Sequence, residues 1–335
     1  MNAPGGPRRR RVLVTGGAGF LGLHLCTRLS RRGDSVICLD DFSTSAPWAR
    51  STLEALDRVT VIDGSVTDPP PLPRRIDLLI HLACPASPRD YQDDPVGTLA
   101  TGGLGTLEML ERAEASGARF VLASTSEVYG DPQVHPQAES YRGNVDPVGP
   151  RSMYDEAKRF GEALASAFRR QYDTDTAIVR IFNSYGPGMR ADDGRMVPAF
   201  VCAALDRRPL PVAGNGRQTR SLCYVDDTVA GILAMSDSRH PGPVNIGTDH
   251  EMSVLDVAAV VNRIAHSDAG VRFLSSAPDD PRRRCPDVER ARSLLGWRPR
   301  VTLEEGMRRT VDWFARTARA QSVAGAPAST RGGSL

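Results

Sequence analysis

A tyrosine and a lysine four residues apart have the spacing that proton-transfer chemistry needs. Tyr154 and Lys158 lie in the stretch SMYDEAKRFGEAL, whose apolar spacing predicts a helix. Residues at i and i+4 share one helix face, so the ammonium can lie near the phenol. An unperturbed tyrosine has a pKa of about 10, and a nearby cation favours the phenolate that a general base requires. The pair is therefore a candidate base, although a surface Tyr beside a Lys is the commoner meaning of the pattern.

A glycine turn near the start of the chain predicts a dinucleotide site. In RVLVTGGAGFLGLHL, Gly16, Gly19 and Gly22 recur every third residue between an apolar strand and a helix. Such glycines permit a tight turn, close approach of a pyrophosphate and close packing of helix on strand. A second apolar strand ends in Asp40, where an acidic partner for a ribose is expected. Asp41 follows and no Arg or Lys adjoins it, which favours NAD over NADP.

These side chains are carried by alternating strands and helices, which predict an α/β fold with a doubly wound parallel Rossmann sheet. The fifth strand, RFVLAST, ends at Thr125 and delivers Ser126 and Glu127 to the carboxyl edge of the sheet. After the fourth strand, the prolines of ACPASPR predict a rigid non-helical loop at the same edge. A long helix is predicted over 95–117 despite three internal glycines, which indicate either close packing or a locally weak helix.

Composition excludes several classes of function. The chain has 335 residues, 40% of them hydrophobic and 24% charged, with a net charge of +2. That charge gives no electrostatic case for binding nucleic acid or a membrane. The six cysteines are scattered and no His cluster has ligand spacing, so a reduced, cytoplasmic protein without a metal is expected.

Several longer motifs resemble one family. GGAGFLG, STSEVYGDPQVHPQ, GPRSMYDEAKR and RIFNSYGP are similar to the extended short-chain dehydrogenase/reductases. HLACPASP, QTRSLCYVDD and DDPRRRCPD narrow the resemblance to the UDP-glucuronic acid decarboxylase, or UDP-xylose synthase, branch of that family. The similarity covers roughly 11–314. The chain departs from the family pattern at Asp41, Ser65, Gly102 and Gly188.

The resemblance implies a role for each motif residue. Tyr154 would be the general base, Lys158 would lower its pKa and hold the ribose, and Thr125 would meet the substrate's 4-hydroxyl. Ser126 and Glu127 would face the sugar ring, and the substrate carboxylate would meet Arg284. The residues implied to hold NAD are Gly16, Gly19, Phe20, Leu21, Gly22, Asp40, Asp41, Ser43, Thr44, Ser65, Val66, Leu82, Ala83, Cys84, Tyr154, Lys158, Tyr185 and Arg195. Those implied to bind the substrate are Pro85, Glu127, Asn183, Gln218, Arg220, Tyr224 and Arg284.

The expected organisation follows from these assignments. A disordered arm (1–10) precedes an NAD-binding Rossmann domain made of 11–186 with 224–265. A smaller C-terminal lobe for the sugar nucleotide, made of 187–223 with 266–317, precedes a disordered tail (318–335). Arg217, Gln218 and Arg220 are expected diphosphate and uridine ligands, with a solvated hairpin as the alternative. The family further implies a homodimer formed by a helix bundle.

The expected reaction is NAD-dependent decarboxylation of UDP-glucuronic acid to UDP-xylose, through oxidation at C4, loss of CO2 and re-reduction at C4. The alternatives are a sugar-nucleotide 4,6-dehydratase, a 4-epimerase and, in a different class, a non-catalytic NAD-binding regulator. Ser126 stands where a resembling dehydratase would have an acid to protonate its leaving hydroxyl. The intact Thr125, Tyr154 and Lys158 argue against a regulator.

Overall fold

A computed structural model describes residues 9–276 and 280–324, without the side chains of 319–324. Extended segments recur along almost its whole length. In chain order they are β1 (Arg11–Thr15), β2 (Ser35–Asp40), β3 (Val59–Asp63), β4 (Leu78–His81), β5 (Arg119–Thr125), β6 (Thr176–Ile181), β7 (Ser184–Tyr185), β8 (Leu210–Ala213), β9 (Thr219–Arg220), β10 (Cys223–Tyr224), β11 (Val244–Ile246), β12 (Met252–Ser253) and β13 (Val271–Leu274).

Seven of these strands form one parallel sheet in the order β11-β6-β5-β4-β1-β2-β3. The chain runs outward in one direction through β2 and β3 and in the other through β4, β5, β6 and β11. The order therefore reverses between β1 and β4, which is where open α/β sheets bind ligands. The predicted doubly wound Rossmann sheet is confirmed. The remaining strands form three two-stranded pairs, β10 with β7, β12 with β9 and β13 with β8.

Helices cover both faces of the sheet. They are α1 (Phe20–Arg31), α2 (Ala49–Glu54), α3 (Pro88–Asp93), α4 (Pro95–Ala100), α5 (Thr106–Ser116), α6 (Ser152–Tyr172), α7 (Met196–Leu205), α8 (Val225–Asp237), α9 (Val254–Ile264), α10 (Glu289–Leu295) and α11 (Leu303–Ala324). A π-helical turn, Thr101–Gly105, joins α4 to α5, and a 3-10 turn, Ser126–Tyr129, follows β5. Among the described residues, no helix combines the length and apolar character needed to cross a membrane.

Alternation along the central strands divides the core between the two faces of the sheet. Val12 and Val14 of β1 belong to a cluster that also contains residues of α1, α7, α8, α9 and α11. Leu13, between them, belongs to the cluster on the opposite face, with residues of α5 and α6. Successive side chains of a strand point to opposite faces, so each strand contributes apolar groups to both layers. The sheet is therefore buried on both sides, and its carboxyl edge is left to carry the site.

The π-helical turn explains the glycines of the long predicted helix. The helix runs continuously through α4, Thr101–Gly105 and α5, in contact with α6. A Cβ added at Gly102 would lie 2.6 Å from the Cβ of Ala157 on α6. Carbon atoms do not approach so closely without displacement, so close helix packing requires the missing side chain. Of the two interpretations left open by the sequence, close packing is the one that the structure supports at Gly102.

Two expectations are wrong. The loop ACPASPR after β4 was expected to be non-helical, but α3 begins at Pro88, within that stretch. Proline is tolerated there because the first residues of a helix have no intrahelical partner for their N–H groups. The hydroxyl of Ser87 caps the helix by accepting from the N–H of Asp90 at 3.2 Å. The tail was expected to be disordered from 318, but α11 continues to Ala324. The rest of the tail, 325–335, lies outside the described residues, as does 1–8 of the arm.

The division into two domains remains a proposal. The apolar cluster that begins at Val12 extends through α7 and α9 to Phe314 of α11, so both predicted units share buried contacts. Arg10, assigned to the arm, donates to Asp237 of α8 at 2.7 Å. No hairpin joins β8 to β9, because β8 pairs with β13 and β9 with β12.

Candidate active site

A cavity of about 270 Å³ opens along the carboxyl edge of the central sheet. It lies beyond the ends of β1, β2, β4, β5 and β6, and it also contacts α3 and α6. Most of the residues predicted from the sequence line it. They are Gly16, Gly19, Phe20, Leu21, Gly22, Asp40, Asp41, Ser43, Thr44, Val66, Leu82, Ala83, Cys84, Pro85, Thr125, Ser126, Glu127, Tyr154, Lys158, Asn183 and Arg195.

The glycine turn makes a cradle that side chains would fill. Gly16 has a φ of +68°, and a Cβ there would lie 2.7 Å from the backbone nitrogen of Ala83. A Cβ at Gly22 would lie 2.2 Å from the carbonyl oxygen of Gly16. The first turn of α1 carries no acidic residue, so its unpaired N–H groups face the cavity without a competing carboxylate. This shape and polarity fit the pyrophosphate of a dinucleotide.

Asp40 is fixed at the end of β2 by the cradle itself. Its Oδ2 accepts from the N–H of Ala18 at 2.9 Å, and its Oδ1 accepts from the N–H of Phe42 at 2.8 Å and the hydroxyl of Ser45 at 3.1 Å. Burial raises the pKa of Asp40, while these donors oppose the shift. The carboxylate is thus oriented before any ligand arrives, and its Oδ2 keeps a lone pair for a ribose hydroxyl.

Tyr154, Lys158 and Thr125 come together where β5 meets α6. The ammonium of Lys158 lies 5.8 Å from the ring centroid of Tyr154 and donates to the carbonyl of Ala123 at 2.9 Å. Burial raises the pKa of Tyr154 well above its ordinary value; the nearby Cys84 and Glu127 add to the shift, and the Thr125 hydroxyl opposes it. Burial therefore favours the neutral phenol in the protein alone.

Glu127 is the centre of a buried ion cluster with two arginines. Its Oε2 accepts from Arg151 at 2.9 Å and from Arg284. Burial opposes ionisation of Glu127, but Arg284 and then Arg151 outweigh it, so its pKa lies below the ordinary value. The Nε atoms of Arg151 and Arg284 are buried and have no hydrogen-bond partner. Two unused guanidinium donors beside the cavity are suited to a second anionic group.

Seven predicted residues do not line the cavity. Arg284 is paired with Glu127, which does line it, and the hydroxyl of Ser65 is bonded to that of Thr67 at 2.8 Å. Arg217 is exposed, and its backbone N–H donates to Oδ1 of Asn215. The Nη2 of Arg220 donates to both carboxylate oxygens of Asp280, each at 2.7 Å. The others are Gln218, which donates to Ala213, and Tyr185 and Tyr224, which pack edge to face beneath α11.

Several polar residues of the site were not predicted from the sequence. Tyr91 on α3 stacks on Tyr154 with centroids 5.2 Å apart, and its buried hydroxyl has no partner. Burial raises the pKa of Tyr91 to about 12. Asp90 and Arg190 line the cavity and are joined at 2.8 Å. Asp90 and Tyr91 directly follow the predicted loop ACPASPR, and no motif or spacing in the sequence singled them out.

Arg151 and Asp155, one turn apart around Tyr154, were also missed. Burial, with a smaller contribution from Glu127, raises the pKa of Asp155 to about 7, and one of its oxygens is buried without a partner. Their i, i+4 spacing on the helix that carries Tyr154 is the signal that could have found them.

Comparison with known proteins agrees with this geometry. Residues 12–247 match the NAD dependent epimerase/dehydratase family. The chain belongs to that family. It is 46% identical over 309 residues to UDP-glucuronic acid decarboxylase 1 of Arabidopsis thaliana, which covers 92% of this chain and 71% of the relative. Identity to UDP-glucuronic acid decarboxylase 1 of Xenopus tropicalis is 44%, over 91% of this chain and 72% of the relative. The predicted family resemblance is thereby confirmed.

A solved structure of this epimerase/dehydratase family shows the same fold. UDP-glucuronic acid 4-epimerase from Bacillus cereus, in complex with UDP-glucuronic acid and NAD, superposes with a TM-score of 0.81 at 28% identity. The match covers 92% of this chain and 99% of the epimerase. The cofactor prediction thus has support from the family, and the cradle and Asp40 described above fit it.

Proposed function

We propose that the chain is an NAD-dependent UDP-glucuronic acid decarboxylase that forms UDP-xylose. The observation that carries the proposal is the buried cluster of Glu127, Arg151 and Arg284 beside Tyr154. A dehydratase needs an acid at this place, and a 4-epimerase that acts on neutral sugars needs no carboxylate site. Two arginines instead suit a sugar with an anionic C6. The hydroxyl of Ser126 is too weak an acid to protonate the C6 hydroxyl that a dehydratase expels. Against a 4-epimerase of glucuronic acid, the proposal is supported by the 46% identity to a UDP-glucuronic acid decarboxylase.

The chemistry of the substrate sets the order of events. A C6 carboxylate leaves easily only when a carbonyl β to it can take the electron pair, so C4 must be oxidised first. NAD, when bound, would supply the hydride acceptor for that oxidation and the hydride for the re-reduction, with no net redox change. The groups that would hold it are the glycine cradle, Asp40 and Lys158; Asp40 and Asp41 together disfavour a 2′-phosphate.

The chain's own side chains would handle the proton and the anion. Tyr154 would take the proton of the 4-hydroxyl while Thr125 holds that oxygen. Because burial raises the pKa of Tyr154, its ionisation would be helped by the positive nicotinamide ring of bound NAD together with Lys158. Arg284 and Arg151 would hold the carboxylate until CO2 leaves, and Asn183, whose Oδ1 is buried without a partner, would accept from the substrate.

Assembly and location extend this proposal. We propose a homodimer through the helical surface formed by α4, the π-helical turn and α6. Its apolar side chains are unusually exposed for a soluble monomer: Val96 is 74% exposed, Leu104 62% and Phe160 52%. We also propose a reduced, cytoplasmic setting, which is supported by the six cysteines remaining unpaired in the fold.

Product analysis tests the proposed reaction. The purified protein is incubated with UDP-glucuronic acid and NAD, and the sugar products are followed by NMR. UDP-xylose and CO2 are expected. A Tyr154→Phe variant should lose several orders of magnitude of turnover, because it removes the oxygen that would take the proton. Formation of UDP-galacturonic acid would indicate an epimerase, and preferential dehydration of UDP-glucose a dehydratase. Either result would contradict the proposal.

A further inference from the structure

Three side chains capable of binding a metal converge outside the cavity. The imidazole of His135, the carboxylate of Glu251 and the thiol of Cys285 lie with their ligand atoms within 4.8 Å of one another. They belong to three segments far apart in the sequence, which is why spacing predicted no metal site. The Nε2 of His135 is 3.1 Å from Oε2 of Glu251. In the absence of a metal, His135 and Glu251 form an ion pair, and the thiol of Cys285 donates to the carbonyl of Asp249 at 3.6 Å.

The surrounding hydrogen bonds hold the three segments in register. The N–H of Cys285 donates to Oε1 of Gln137 at 2.9 Å, and the N–H of Gln137 donates to the carbonyl of Cys285 at 2.9 Å. These reciprocal bonds tie the His135 segment to the Cys285 segment. The hydroxyl of Thr219 donates to Glu251 and fixes the orientation of the third group. The ligand atoms are therefore held close together by the backbone.

We infer that His135, Glu251 and Cys285 form a zinc site. Imidazole, carboxylate and thiolate are the donors that Zn²⁺ accepts, and tetrahedral coordination separates ligand atoms by roughly 3 to 4 Å. Small side-chain rotations bring the present groups to that separation. Water would fill the fourth position. On binding, the S–H bond breaks, a Zn–S bond forms, and the proton passes to solvent.

Charge and exposure agree with this assignment. Glu251 and ionised Cys285 together balance the charge of Zn²⁺. Among the residues that the structure describes, the arginine paired with Glu251 is Arg283, at 3.5 Å; its side chain is 55% exposed, so it can turn into solvent. The thiol of Cys285 is buried while His135 is partly exposed, which leaves the ion an entry path from the surface. The inference is independent of the proposed reaction.

Zinc titration of the full chain tests the site. The metal-free protein is titrated with Zn²⁺ alone by calorimetry and, separately, with Co²⁺ as a spectroscopic probe. We expect one ion per chain, an increase in melting temperature and a near-ultraviolet band from thiolate bound to cobalt. Cys285→Ser should abolish the band, and Glu251→Gln or His135→Asn should weaken binding by at least about tenfold.

The control is Cys202→Ser, which alters a half-buried thiol on α7 and should leave binding and the band unchanged. No binding at micromolar Zn²⁺ would overturn the inference and leave His135 and Glu251 as an ordinary ion pair. Cobalt binding without a thiolate band, or binding unchanged in Cys285→Ser, would place the ion elsewhere and also overturn it. His135→Asn tests a partly exposed position, so the inference stays falsifiable even if the cysteine variant folds poorly.

Discussion

The carboxylate of Glu127 shows how neighbours, rather than burial, decide the charge of a residue. Burial alone would favour the protonated acid, but two guanidinium groups at hydrogen-bond distance keep it ionised. Breaking a buried charge pair costs about 3–5 kcal/mol, because the remaining charge is left without compensation. The three side chains of this cluster therefore have to be considered together.

Arg284→Met tests the proposed carboxylate site. The variant keeps the length of the side chain and removes its charge, so we expect UDP-glucuronic acid decarboxylation to fall by about two orders of magnitude or more while NAD binding persists. Steady-state kinetics and NAD titration measure the two effects. Arg282→Met is the matched control, because the Arg282 side chain is 84% exposed and should leave turnover unchanged. Wild-type activity in Arg284→Met would move the carboxylate site elsewhere.

The titration of Asp155 should make the free energy of unfolding depend on pH. Its pKa is about 7 in the folded chain against an ordinary 3.8, so the folded state keeps a proton that the unfolded state loses. The stability that protonated Asp155 contributes to the fold is complete below pH 3.8 and is lost as the pH rises through about 7. Asp155→Asn should therefore be more stable relative to the wild type near pH 8 than near pH 5. Urea unfolding at both pH values measures this, and an equal difference at both would refute it.

The sequence predicted the residues whose motifs are local. The glycine turn, Asp40 and the pair of Tyr154 with Lys158 are each contained in one short stretch. The cluster around Glu127 depends on Arg284, 157 positions away, and only the family resemblance could predict that contact. Tyr91 was not predicted, because its place in the site depends on α3 packing against the distant helix that carries Tyr154.

At the scale of elements, the π-helical turn determines how closely α4 and α6 can pack. It places Gly102 against Ala157. A Cβ added at Gly103 would lie 3.5 Å from the ring carbon Cδ1 of Phe160, which is an ordinary van der Waals distance. The sequence predicted the bounds of this helix well, because its apolar pattern is long. It could not predict which glycine was indispensable, because that depends on the position of a second helix.

A matched pair of substitutions tests this packing. Gly102→Ala should destabilise the fold by roughly 1–3 kcal/mol, since the added methyl must displace α6. Gly103→Ala adds the same methyl where space exists, so it should be neutral or stabilise the helix by up to about 1 kcal/mol. Thermal unfolding of the two variants measures the contrast. Equal melting temperatures would contradict the role assigned to Gly102.

At the scale of the whole molecule, the exposed apolar side chains of α4, the π-helical turn and α6 lie in one region of the surface. Leu99 is 46% exposed beside Val96, Leu104 and Phe160. Pairing two such surfaces across a two-fold axis would bury them, which is the basis of the proposed homodimer.

The oligomer prediction is tested by placing charges in this surface. Leu104→Glu with Phe160→Glu should convert a dimer to a monomer, because carboxylates would face one another across the axis. Light scattering at micromolar concentration measures the mass. Leu294→Glu, a change at a 40% exposed leucine on α10, is the matched control and should remain dimeric. A monomeric wild type would refute the proposal.

The net charge of the ion cluster at Glu127 should favour binding of the substrate over binding of the product. Two guanidinium groups and one carboxylate leave a single positive charge in a place shielded from water. Glucuronic acid brings a matching negative charge with its C6 carboxylate. Xylose has no C6 carbon, so the positive charge stays unmatched when the product is bound. Substrate should therefore displace product readily, and product inhibition by the sugar should be weak. Turnover would then be limited by the diphosphate and uridine contacts common to both nucleotides.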